Sequence, residues 1–166
     1  GSIDAEMATG VTRRAWLDTI AAAEQYNDPG KFTTLIAFEW TSIPQYQNMH
    51  HNVFFRDDAG PETQLSSFDT VKREDLWTYQ EIQRAMGHEN FSISHNGNVS
   101  NGLMFPPTTS YGTPITKQWA ERSIANTIAT EMAQVKVDVF AQHRIIKNTP
   151  LGHFEVERLG KPVTRA

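Results

Sequence analysis

The sequence predicts an α/β fold with mainly parallel strands. Short apolar runs, rich in β-branched and aromatic residues, alternate with amphipathic helical stripes, the pattern of successive βαβ units. The first run, residues 32–38, has almost no polar residue, which fits a strand buried on both faces of a parallel sheet. Two of the runs end in a metal-capable side chain, Glu39 and His95, and that end of a parallel α/β sheet is where function collects.

Taken in order, residues 12–25 read as a helix. Thr12 is placed to cap it, Trp16, Leu17, Ile20 and Ala21 follow a helical stripe, and Asn27-Asp28-Pro29-Gly30 stops it. Residues 32–38 are the first strand, 42–48 a loop and 52–55 the second strand. A polar loop with Gly60-Pro61 covers 57–67. Residues 72–86 predict a helix, with Glu74 and Asp75 in its first turn, Leu76, Trp77, Ile82 and Met86 on its apolar side, and Gly87 as its stop. Residues 91–94 are a third strand. The Gly/Pro/Ser/Thr-rich stretch 96–111 is a loop long enough to expect function in it. Residues 115–129 read as a helix with Trp119, Ile124, Ala125 and Ile128 inward, and 132–139 as a fourth strand. Beyond residue 141 the pattern is weak. Residues 3–159 are expected to form one domain, 160–166 a tail, and Gly1-Ser2 a tag remnant. Four strands are fewer than the eight a closed barrel needs.

At 166 residues the chain is long enough for one domain that buries roughly 70% of its unfolded surface without staples. It has no cysteine, which excludes disulfides, thiolate metal sites and Cys nucleophiles. Any metal must then be held by His, Asp and Glu, which favours zinc, manganese, iron or cobalt. A net charge of −4 with scattered Lys and Arg argues against nucleic acid as a tight partner. No apolar run approaches a membrane span, and no signal peptide is expected. The compartment stays open.

Glu39, His50 and His95 carry the candidate chemistry. One carboxylate and two imidazoles make the donor set of a catalytic zinc-type site with a position left for water. A glutamate closing the run Leu35-Ile36-Ala37-Phe38 needs a partner, because an unpaired buried carboxylate is costly. The bland alternative is a surface ion pair. His50 and His51 are adjacent, so on an extended chain only one of them faces the site; a lone histidine is more often a surface or hydrogen-bonded core residue. His95 follows the run Phe91-Ser92-Ile93-Ser94 and precedes Asn96-Gly97-Asn98, whose glycine lets the chain turn and whose asparagines can orient ligands. His143 is a further metal-ligand candidate. Arg56, His51 and Lys136 are candidates to steady negative charge. Asp57, Asp58 and His88 read as surface residues, and His153 lies in the weakly patterned tail. Ser94 and Ser100 lack an evident His-Asp relay, and no nucleotide-binding glycine loop is present.

Phe32-Thr-Thr-Leu-Ile-Ala-Phe-Glu39-Trp-Thr-Ser, Asn48-Met-His50-His-Asn-Val-Phe-Phe-Arg56-Asp, Glu74-Asp-Leu-Trp77 and Ser94-His95-Asn-Gly-Asn-Val-Ser-Asn-Gly-Leu-Met-Phe105 together resemble the domain of unknown function 3604 family. That family is similar to the PHP (polymerase and histidinol phosphatase) metal-dependent phosphoesterases. The resemblance runs from about Thr9 to Lys136. It implies a distorted (β/α) barrel with a multi-metal site, in which Glu39 matches a bridging glutamate and His50 and His95 match ligands of a shared metal. Two motifs of the PHP pattern are not found: a His-x-His before Glu39 and a closing Asp-x-His. After Lys136 the chain reads Val137-Asp-Val-Phe-Ala-Gln-His143-Arg, where the family continues differently. The chain therefore resembles an internal fragment, a half-barrel.

The resemblance implies a hydrolase of phosphate mono-, di- or triesters, working through a metal-bound hydroxide. One to two zinc or manganese ions per chain would be held by Glu39, His50 and His95, with Glu39, His51 and Arg56 acting in catalysis. Open sheet edges in a half-barrel lead to the expectation of a homodimer. The alternative from another class is a non-catalytic metal-binding or oligomerising remnant. A nuclease is a third reading, opposed by the acidic charge.

Overall fold

The computed structural model of the chain describes residues 5–56 and 60–131. It is a mixed α/β structure of three helices and one open four-stranded sheet. In chain order these are α1 (Ala5–Tyr26), β1 (Ile36–Trp40), β2 (His51–Phe55), α2 (Arg73–Ala85), β3 (Asn90–Ser94), α3 (Lys117–Asn126) and β4 (Thr127–Thr130). The strands lie side by side in the order β1-β2-β3-β4.

The expectation of mainly parallel strands is corrected here. β1 pairs with β2 and β2 with β3 in antiparallel fashion, and only β3 and β4 run parallel. The connections explain this. Residues 41–50, with a short 3₁₀ turn at Pro44–Tyr46, are too few for a helical crossover, so β1 and β2 form a hairpin-like pair. The stretch from β3 to β4 carries α3 and is a crossover of the kind parallel neighbours require.

One sheet face carries the core. Ile36 and Trp40 from β1, Val53 and Phe55 from β2, Trp16 from α1 and Leu76 from α2 are buried together. Phe38 joins them: its ring meets Trp16 edge-on at 5.7 Å, stacks on Phe55 at 6.2 Å and meets Tyr79 edge-on at 6.2 Å. Such aromatic contacts contribute about 0.5–1.5 kcal/mol each beyond burial. The indole of Trp16 donates to the Pro61 carbonyl at 2.7 Å, and this fastens α1 to the stretch leading into α2.

Several boundaries differ from expectation. α1 begins at Ala5 rather than Thr12, because Ala5, Glu6, Met7 and Ala8 are good helix formers. β1 begins later than residue 32: Phe32 closes a small bridge with Asp28 and is exposed, as is Leu35. Ile82 and Met86 of the second helical stretch are exposed, while Gln80 and Gln83 are buried. The helix expected over 115–129 ends at Asn126, and Thr127–Thr130 is β4. β-Branched Thr127 and Ile128 favour that switch. The fourth strand expected at 132–139 lies outside the described residues.

The polar core explains why α3 ends where it does. Asn126 is fully buried; its Oδ1 accepts from Arg84 at 2.6 Å and its Nδ2 donates to Glu81 at 3.0 Å. Its backbone carbonyl accepts from Gln80 Nε2 at 3.2 Å and Ser92 Oγ at 3.0 Å. One residue thus joins α2, β3 and the α3–β4 junction. Replacing its side chain removes the partner of Arg84 and Glu81 on α2 and of the Arg122 carbonyl on α3, while the bonds from Gln80 and Ser92 to its backbone remain. Asn126→Leu should lower unfolding free energy by about 2–4 kcal/mol, read as a lower urea midpoint at unchanged m-value.

Candidate functional site

The register places one row of residues across the end of the sheet: Trp40 opposite His51, His51 opposite Ser94, and Ser94 opposite Thr130. Side chains alternate between faces along a strand. Trp40, His51 and Ser94 point into the core. Their neighbours Glu39, His50 and His95 therefore emerge on the opposite, open face, where Ala37, Phe54, Phe91 and Ile93 are half-buried and Phe54 stacks on Phe91 at 5.3 Å.

On that face the candidates meet. Glu39 Oε1 lies 2.7 Å from His50 Nδ1, and the rings of His50 and His95 stack with centroids 6.1 Å apart and planes 22° from parallel. The backbone N–H of His95 donates to the His50 carbonyl at 3.0 Å, extending the β2–β3 ladder past its last paired residues. On its far side His95 Nδ1 contacts Glu131 Oε2. The order along the edge, Glu39, His50, His95, Glu131, is the order of the strands. Two carboxylate–imidazole couples thus lie ring to ring.

Glu131 has no place in the sequence-based site. It lies between the helix predicted over 115–129 and the strand predicted over 132–139. The signal for it was present: Thr127-Ile128-Ala129-Thr130 is a short β-prone run closed by a glutamate, as Leu35–Phe38 is closed by Glu39. Burial alone would raise the Glu131 carboxyl; hydrogen bonds from the side chain and backbone of Asn96 and the neighbouring His95 outweigh it and hold the group below the usual carboxylate range. Asn96, expected to orient ligands, acts here by donating from its backbone N and its Nδ2 to Glu131 Oε2, each at 3.1 Å.

The other predicted residues lie elsewhere. His51 is buried beneath Trp40, with ring centroids 5.9 Å apart. Its Nδ1 lies 3.1 Å from the Met49 carbonyl and its Nε2 3.3 Å from Ser94 Oγ. Desolvation, reinforced by the positive charge of Arg73, lowers its pKa to about 3. A neutral core imidazole cannot steady charge on a substrate, so the catalytic role expected for His51 gives way to a structural one. Its partner Ser94 is buried too, and the pair offers no nucleophile to solvent. Arg56 follows the last residue of β2, whereas His50 precedes the first. Six strand steps separate them by roughly 20 Å, so Arg56 is at the wrong end of the sheet to act with His50. His143, Lys136, His153, Asp57 and Asp58 lie outside the described residues. A cleft of about 340 Å³ between α2, α3 and residues 109–116 is lined by Glu74, Tyr111, Trp119 and Arg122 and contains none of the edge residues.

The chemistry of this donor set, two imidazoles and two carboxylates, suits a borderline divalent ion. In this geometry the four side chains pair off. Among the described residues, no group of three or more His, Asp or Glu is gathered to hold an ion. Each ring has its Nδ1 against a carboxylate, Glu39 for His50 and Glu131 for His95, the side on which carboxylates orient metal-binding histidines.

An open mixed sheet carrying paired acidic and imidazole groups at one edge defines a class of α/β domain with a candidate polar site. The chain belongs to the family described as "Protein of unknown function (DUF3604)", whose model matches residues 2–165. That match extends past Lys136, where the recognisable motifs stop. No curated protein and no solved structure matches the chain. Among the described residues, no helix is long and apolar enough to cross a membrane.

His51 makes stability depend on pH. Its proton affinity is lower folded than unfolded, so between pH about 3 and 6.5 the unfolded state binds more protons and stability rises with pH. The contribution is complete above the unfolded pKa and is lost as pH falls through it. Urea midpoints from pH 7.5 to 4.5, taken with chelator present, should fall steadily for wild type. They should fall less steeply for His51→Gln.

Proposed function

We propose that this chain is a metal-dependent hydrolase of small phosphoesters, with Glu39, His50 and His95 as the centre of its site. The observation that carries the reading is the meeting of Glu39, His50 and His95 on the open face of the sheet. They come from β1, the residue before β2 and the residue after β3, and their donor chemistry fits zinc or manganese. His50 and His95 would hold the ion and Glu39 would orient or join them. Bound there, a divalent ion supplies Lewis acidity toward a phosphoryl oxygen and makes water acidic enough to ionise near neutral pH. The protein's own part is to fix the two rings by their carboxylates and to present them on an accessible face.

The PHP-like half-barrel belongs to the same reading. It rests on the motifs around Glu39, His50 and His95, since the strand directions do not argue for a parallel barrel. A homodimer is part of it as well: β1 and β4 are the outer strands of the described sheet, and exposed Leu35 and Ile128 lie beside and on them. The second reading, a non-catalytic metal-binding or oligomerising remnant, is favoured by the pairing of the four side chains in twos.

Elemental analysis of purified wild type and His95→Ala separates these outcomes. The proposal expects about one zinc or manganese per chain that His95→Ala loses, together with metal-dependent turnover of a model phosphoester that the variant abolishes. Stoichiometric metal with no turnover above the free ion would favour the remnant. Turnover unchanged in His95→Ala would refute the site.

A further inference from the structure

We propose that Glu131 is a positioning residue of this site, fixing the imidazole of His95 as Glu39 fixes that of His50. The inference rests on the reading of the sheet edge as a divalent-metal site and adds a residue to it. Its grounds are geometric. The backbone N–H of Glu131 donates to the Ser94 carbonyl at 2.9 Å, so the β3–β4 ladder itself sets where the side chain starts. The carboxylate is then held: its Oε2 contacts His95 Nδ1 and accepts both Asn96 hydrogen bonds at 3.1 Å. Asn96 is in turn fixed, only 1% exposed, with its Oδ1 accepting from Asn98 N at 2.9 Å.

A pair of mobile surface side chains would contribute little, because ordering them offsets the attraction. Here one partner is anchored by a buried amide and the other lies against a second ring. A histidine that donates Nδ1–H to a fixed carboxylate is held in one tautomer, with a lone pair on Nε2 and raised basicity there. Stacked imidazoles with a carboxylate at each Nδ1 are therefore arranged to be held in a fixed orientation and a single tautomer.

The test compares wild type, Glu131→Gln and Glu131→Asp by two readouts. In metal-free protein, ¹⁵N shifts of the His95 ring report its tautomer; zinc affinity is measured by chelator competition. Circular dichroism checks the fold. The expectation is a predominantly Nδ1–H His95 in wild type, loss of that preference in Glu131→Gln, and zinc affinity lowered 10–100-fold. Glu131→Asp, with the charge on a shorter arm, should fall between. Wild-type tautomer and affinity in Glu131→Gln would overturn the proposal; if that variant does not fold, the same result in Glu131→Asp does so. A wild type that takes up neither zinc nor manganese defeats the proposed function, and the tautomer comparison then still decides whether Glu131 positions His95.

Discussion

The candidate site depends on the register of β2. Successive residues on a strand face opposite ways, so one of His50 and His51 must enter the core and the other must leave it. His51 goes in, held between the Met49 carbonyl and Ser94 Oγ under the Trp40 indole. That placement sends His50 out toward Glu39 and His95. A slip of one residue would bury His50 and expose His51, and would move Val53 and Phe55 from the core to the open face. The aromatic cluster of Trp16, Phe38 and Phe55 thus guards the chemistry from a distance, by making the slipped register costly.

A second constraint sets the far end of the row. α3 passes into β4 with no loop between them, and such a junction leaves backbone groups that need partners. Gln80 Nε2 and Ser92 Oγ donate to the Asn126 carbonyl, and Asn126 Nδ2 donates to the Arg122 carbonyl. The junction thus fixes Thr127 as the first residue of β4, and the β3–β4 register carries Glu131 beside His95. The buried polar network, which looks unrelated to the edge residues, decides where the fourth of them lies.

The loop after His95 carries backbone strain. Val99 and Asn101 have φ of 57° and 50°, in the left-handed region that costs a non-glycine residue about 1–3 kcal/mol. The β-branched Val99 is the more costly of the two. Hydrogen bonds offset this: Asn48 N donates to the Val99 carbonyl at 3.0 Å and Asn48 Nδ2 to the Asn98 carbonyl at 2.9 Å, while Asn48 Oδ1 accepts from His50 N at 2.9 Å. Asn48 therefore clamps the segment entering β2 to the loop leaving β3, and both histidines are attached to that clamp.

The sequence by itself determined the α/β alternation, the position of most helices and strands, and three residues of the candidate site. Those features are local. Apolar runs ending in Glu39 and His95, and an adjacent His pair before an apolar run, can be read without knowing what packs where. Strand direction was not legible, because a buried antiparallel strand such as β2 has the same apolar run as a parallel one. Burial of Gln80, Gln83 and Asn126 was not legible either, since their partners are distant in sequence. Only the tertiary structure could turn His51 inward and bring Glu131 to His95. Each of these depends on pairing between strands, and pairing is a property of the sheet that no single segment encodes.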